Sequence, residues 1–354
     1  MPPSAIRRAV PLLIGSLLMS IIAATVPLRA DDGAASIAAG GVVVMTREPR
    51  ISMAKEVLQI SASKVVVDYD FRNDSDEDIT TEVAFPIPNY GLGDDELDRS
   101  RQAFDDFKLW IDGTPARYQI EARAFLKGTE YTKLLTRMHF GIATFGYRPS
   151  SPSSAELPQN RDIRRLTADQ RRKLEKVGLI DEHDEPLWKV QKKYYWQQTF
   201  AAHKSVHIRH VYKPILGNSN ALDLSAPPVA DPKSPALGAA ILADYKESQA
   251  EVKSLCIDDE LRPTLQKIVD GATQTAGDSY VDFILTSANT WKMPIEDFTL
   301  IVERPHWKGD SYDYVSFCWD GPITKVDDDH FRVHATNLVP AKELRIGFIG
   351  VSER

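Results

Sequence analysis

The chain has 354 residues, 43% of them hydrophobic and 26% charged, with a net charge of -7. That length allows two domains, or one large β-domain with insertions. The acidic balance excludes nucleic acid and anionic lipid as charge-driven partners, because both need basic patches.

Arg7 and Arg8 lead into an uncharged apolar run at 9–26, closed by Leu28-Arg29-Ala30 ahead of Asp31-Asp32. A basic start, an apolar centre and a small residue at a polar boundary predict a signal peptide over 1–30, cut after Ala30. The competing reading is a retained anchor, which needs roughly 20 apolar residues. Pro11 and Gly15 interrupt the run, and the Ala30 boundary favours cleavage. The cut would remove Arg7, Arg8 and Arg29 and no acid, taking the net charge to -10. No second long apolar run follows, so no transmembrane segment is expected after cleavage, and the expected location is periplasmic or extracellular.

Residues 31–225 read as an N-terminal β module. Val65, Val67, Tyr69 and Phe71 alternate with Lys64, Val66, Asp68 and Asp70, the period of a strand with one buried face. After the turn cluster Asn73-Asp74-Ser75-Asp76, a return through Ile79, Val83 and Phe85 predicts an antiparallel hairpin, stopped at Pro86-Ile87-Pro88. A second hairpin is predicted at 107–122, turning at Asp112-Gly113. Residues 160–187 read as a helical insertion, with Thr167 and Gln170 as a capping box and Gly178 as the stop. Strands return at 194–200 and 206–212.

The Pro- and Ala-rich segment 223–235 marks a boundary before a C-terminal α+β module at 226–354. Helices are predicted at about 236–252 and 259–270. Strands follow at 280–286, 298–303, 314–319, 330–334 and 344–349. The predicted fold class is therefore mainly β: two antiparallel, sandwich-like modules, a small helical insertion, and two helices preceding the C-terminal strands. Cys256 and Cys318 are the only cysteines. An even pair in an oxidising compartment reads as a disulfide, the alternative being two separate buried thiols.

Several stretches, in this order, carry a resemblance. They are Ala38-Ala39-Gly40-Gly41, Tyr69-x-Phe71-x-Asn73, Val83-Ala84-Phe85-Pro86-Ile87-Pro88, Tyr195-Trp196-Gln197-Gln198-Thr199-Phe200 and His210-Val211-Tyr212-Lys213-Pro214. Then come Asn289-Thr290-Trp291-Lys292-Met293-Pro294-Ile295-x-x-Phe298, Ser316-Phe317-Cys318-Trp319-Asp320-Gly321-Pro322 and Asn337-Leu338-Val339-Pro340. Together they resemble the bacterial domain-of-unknown-function family numbered 4424, over nearly the whole mature chain. The resemblance implies a secreted, mostly β bacterial protein and supplies no catalytic residues. Phe71-x-Asn73, Phe85-Pro86-Ile87-Pro88 and Ile111-Asp112-Gly113 also resemble the β-sandwich domain of inter-alpha-trypsin inhibitor heavy chains, a likeness of fold alone.

Chemistry is sparse. His203, His207 and His210 cluster in sequence, yet on a strand His207 and His210 point to opposite faces, which argues against a shared metal ion. Asp74-x-Asp76-x-Asp78 resembles the start of a calcium loop, but Ile79 replaces the glycine and Phe85 the bidentate glutamate. Acidic turns at 94–98 and 327–329 leave calcium open as a cofactor; no other cofactor is expected. Ser52-x-x-Lys55 and Ser61-x-x-Lys64 match only the two-residue core of a serine-lysine nucleophile. One of Trp110, Trp196, Trp291 and Trp319 could serve as a surface platform, and the sequence does not say which.

The sequence thus predicts an exported, non-enzymatic envelope protein with a binding or assembly role toward an unknown envelope protein or polymer. The alternatives are a secreted hydrolase whose carboxylates converge only in the fold, and a calcium-dependent adhesive module.

Overall fold

The computed structural model describes residues 32–38, 42–91, 107–146, 158–219, 222–225, 228, 235–257, 261–270, 274–307 and 310–353. The expected leader, the Ala30 cleavage site and the acidic segment 94–98 lie outside them.

The protein is mainly β, and among the described residues its strands form three sheets. The first runs in the order Thr129–Glu130, Gln119–Leu126, Lys189–Phe200, Ile79–Pro86, Gly33–Ala38, Val42–Met45. The second runs Thr324–Lys325, His330–Leu338, Ile295–Glu303, Glu48–Ile60, Val65–Asn73, Ser205–Tyr212, Lys108–Ile111, Thr114–Pro115. Pairing is antiparallel except where Ile295–Glu303 and Trp291–Lys292 run parallel to Glu48–Ile60. A third, antiparallel sheet holds Gly217–Ser219, Gln274–Phe283, Leu344–Glu353, Asp310–Phe317 and His306–Trp307.

The first two sheets face each other across the main core. Val65, Val67, Tyr69 and Phe71 point into it, as their period requires. Val83, Phe85, Tyr194, Trp196 and Phe200 meet them from the opposite sheet. Phe71 and Phe200 stack edge to face across the interface, with centroids 5.9 Å apart.

The predicted hairpins are corrected by the pairing. Val65–Asn73 and Ile79–Pro86 belong to different sheets, so the turn between them crosses the sandwich. Asn73 builds that crossing: its Nδ2 donates to the carbonyls of Glu77 and Phe200, at 2.8 and 2.9 Å. Lys189–Phe200 and Ser205–Tyr212 also separate onto opposite sheets. Asp112-Gly113, both at positive φ, turns the chain into only Thr114–Pro115. Gln119–Leu126 then crosses to the first sheet.

The helices are α1 (Thr132–Arg137), α2 (Pro158–Arg164), α3 (Ala168–Lys176), α4 (Pro235–Ser254) and α5 (Leu261–Asp270). The reciprocal bonds between Thr167 and Gln170 cap α3, and Leu174 buries its narrow apolar stripe. A second, smaller core joins Val252, Leu255 and Leu265, from the segment spanning α4 and α5, to Tyr280 and Ile349 of the third sheet. Gly347 leaves room for Leu255, since a Cβ there would meet its Cδ2 at 2.8 Å. The boundary expected at 225/226 does not partition the strands. Ile295–Glu303 and His330–Leu338 extend the second sheet beside Glu48–Ile60, because their apolar faces complete the main core.

Candidate functional site

Three remote segments meet at one open cleft. Cys318, Trp319 and Asp320 follow the strand Asp310–Phe317, while residues 338–344 connect His330–Leu338 to Leu344–Glu353. Leu285, at the start of a 3-10 turn, closes the third side. Leu285, Trp319, Leu338, Val339, Pro340 and Leu344 make the lining of this open cleft mostly apolar.

Each wall is held from behind. Trp319 stacks on Phe298, with centroids 5.6 Å apart and planes 14° from parallel. Asn289 Nδ2 donates to the Pro340 carbonyl at 2.9 Å, and Thr286 Oγ1 donates to Glu343 at 2.6 Å. Asn337 takes a φ of 54°, a left-handed conformation that asparagine tolerates better than most residues. The structure joins Cys318 to Cys256, just beyond the end of α4. Ser316 Oγ adds bonds to the carbonyls of Leu255 and Cys256, at 2.7 and 3.1 Å. At the rim Lys342 lies 3.4 Å from Asp320. Asp320 thus faces Lys342, and Glu343 accepts from Thr286.

The other sequence candidates disperse. His203 faces Asp76 at 2.8 Å, and His207 sits on the outer face of the second sheet between Asp68 and Asp70, at 3.3 and 2.8 Å. His210 points the other way, into the core. The carboxylates of the first acidic turn diverge. Asp74 takes Arg72, Lys292 and Ser52, and the Arg72 guanidinium holds its carboxyl well below the usual carboxylate range. Asp78 accepts the Ala202 N–H at 2.8 Å. In the later turn Asp327 accepts backbone N–H groups of Asp329 and His330, while Asp328 and Asp329 face Lys325 and Arg304. Among the described residues no group of three His, Cys, Asp or Glu is placed to hold a metal ion.

Ser52 is buried while Lys55 is exposed, and the Ser61 hydroxyl donates to the Lys64 carbonyl at 3.1 Å. Trp196 and Trp291 are buried, whereas Trp110 and Trp319 are partly exposed. Of these two, Trp319 lines the cleft.

Sequence reasoning missed two buried polar pairs. Asp32 Oδ2 lies 3.3 Å from His210 Nε2, both residues fully enclosed. Tyr69, Phe85, Phe107 and Trp196 ring the imidazole, with centroids 5.0 to 5.6 Å away. Burial lowers the His210 pKa to about 3, so the ring stays neutral. The unfolded chain would therefore take up this proton first as pH falls below about 6.5. The contribution of His210 itself is expected to fall by about 1.4 kcal/mol per pH unit below that pH. Urea unfolding of the native chain and of His210→Phe, stepped from about pH 7 to about pH 5, checks this. Equal slopes in the two chains would contradict it. The other pair, Lys193 with Glu121, fastens the Val42–Met45 strand over the first sheet.

Fold and site together define a mainly antiparallel β protein with an apolar, tryptophan-bearing cleft beside its cross-link. Residues 30–346 match the family described as a domain of unknown function, DUF4424, and the chain belongs to that family. No curated protein matches it. A protein of Legionella pneumophila subsp. pneumophila str. Philadelphia 1, described as a candidate nutrient binding protein and solved at 2.33 Å, is 13% identical. The match covers 86% of this chain and 68% of that one, with a TM-score of 0.37, a likeness that says nothing about what this chain binds. Among the described residues, no helix is long and apolar enough to cross a membrane.

Proposed function

We propose that the chain is an exported binding or assembly protein of the bacterial envelope, and that its partner occupies the Trp319 cleft. The observation carrying this reading is the cleft's chemistry. An aromatic ring stacked from behind borders an open apolar recess, and the nearby acids are already engaged. Such a surface favours adhesion over proton transfer. Three of the stretches that carry the family resemblance, at 289–298, 316–322 and 337–340, supply its walls or the bonds behind them. The apolar leader and the pairing of both cysteines support a periplasmic or extracellular setting.

The test is affinity capture from bacterial envelope extract on the immobilised mature chain. Trp319→Ala is expected to reduce recovery of the captured partner at least about tenfold, the loss typical of a central tryptophan anchor. Trp110→Ala, on the outer face of the second sheet, should leave it unchanged. Equal recovery by the Trp319 variant would reject the cleft as the site.

A further inference from the structure

The 3-10 turn Leu285–Thr290 stands between the cleft and the strand Gly33–Ala38. Six residues are a long run for this helix type, whose own hydrogen bonds are poorer than those of an α-helix. Its shape therefore leans on side-chain bonds to other segments. With three residues per turn, side chains three apart share a face. Thr286 and Asn289 make the cleft face. Glu343 accepts the backbone N–H and the hydroxyl of Thr286, at 3.2 and 2.6 Å, and Asn289 donates to the Pro340 carbonyl. Both ends of the turn are thus fastened to the cleft loop 338–344.

Ser287 and Thr290 make the next face, and it holds the strand. Thr290 Oγ1 accepts the Ala34 N–H at 2.9 Å while donating to the Ser287 carbonyl at 2.8 Å. Trp291, next in the chain, donates its indole N–H to the Asp32 carbonyl at 2.6 Å. Asp32, Ala34 and Trp291 are fully enclosed, so water cannot stand in for these partners. The register is fixed as well. A Cβ on Gly33 would meet Thr290 Oγ1 at 2.9 Å, and a slip by one residue would bring Asp32 or Ala34 to that place. Phe71 and Phe200 flank the Trp291 ring, with centroids 5.0 and 5.9 Å away.

We propose that the turn is a relay: seating of residues 32–34 on Thr290 and Trp291 sets the position of the loop that walls the cleft. Thr290 does not line the cleft, and it is a positioning residue for binding there. The proposal rests on the reading of the cleft as the binding site and names what holds that site in shape. Displacing Thr290 displaces its neighbour Asn289, and with it the Pro340 carbonyl. Coupling of this kind is reciprocal, so loosening the cleft loop must also loosen the strand.

Hydrogen exchange of the mature chain, read at 33–38 and at 339–343, tests this. Thr290→Val keeps the shape of the side chain and loses its hydroxyl. Exchange is expected to be about tenfold faster at 33–38, where an enclosed N–H has lost its acceptor, and at least about threefold faster at 339–343. Capture from envelope extract should fall at least about threefold as well. Thr290→Ser restores the hydroxyl and should restore native rates and capture. Asn289→Ala cuts the relay from the cleft side and should speed exchange at 33–38 too. Leu174→Ala empties an enclosed site in α3 and should leave both segments at native rates. Native rates at 339–343 in Thr290→Val, or at 33–38 in Asn289→Ala, would overturn the relay. So would Leu174→Ala speeding both segments as much as Thr290→Val does. Capture indifferent to Trp319→Ala, with the two segments still exchanging together, would reject the cleft as the site and keep the relay.

Discussion

Lys193→Met is expected to destabilise the fold by about 3–5 kcal/mol, the cost of leaving one member of a buried ion pair behind. The ammonium lies 2.9 Å from Glu121 Oε2 and also donates to the Val43 carbonyl. Glu121 accepts the Val43 N–H through its other oxygen at 3.1 Å. The side chains are 5% and 11% exposed, so water cannot replace either partner. Burial pushes the Lys193 ammonium below its ordinary range, and Glu121 is the group that opposes the shift. Removing the lysine strands the carboxylate and frees the Val43 carbonyl at the edge of the first sheet. The double variant Lys193→Met with Glu121→Met should lose less than the single one, because no charge stays buried. Urea midpoints decide the matter. A single variant within about 1 kcal/mol of the native chain would contradict the account.

The second large effect concerns the cross-link. Cys256→Ser with Cys318→Ser opens a loop of 62 residues, and the chain-entropy relation puts the loss at about 4 kcal/mol. The bond ties the base of α4 to the wall that carries Trp319, so unfolding and cleft geometry should fail together. Unfolding curves with and without reductant measure it. The reduced native chain should coincide with the double variant. A reductant shift worth under about 1 kcal/mol would contradict the expectation.

Local patterns were legible in the sequence wherever one residue's environment follows from its near neighbours. The alternation through Val65, Val67, Tyr69 and Phe71 reports a buried face because side chains on a strand alternate. The bond pair of Thr167 and Gln170 spans three residues, and a capping box can be recognised at that range. Which strand lies beside which was not legible. A four-residue turn can join neighbours in one sheet or carry the chain across a sandwich, and at Asn73 the deciding bond goes to Phe200. The parallel contact of Ile295–Glu303 with Glu48–Ile60 likewise depends on completing a shared core, which no local period encodes. For the same reason the cleft was hidden. Leu285, Trp319 and Val339 become neighbours only through the second and third sheets. The sequence offered four tryptophans of equal standing, and only burial separates Trp319 from the enclosed Trp196 and Trp291.

Hydrogen exchange of the mature chain, alone and saturated with its captured partner, tests the cleft most directly. The account predicts slowed amides at 318–320 and 338–344, with the outer face of the second sheet unchanged. Slowing on that outer face, around His207 and Trp110, with the cleft amides unaffected, would contradict it.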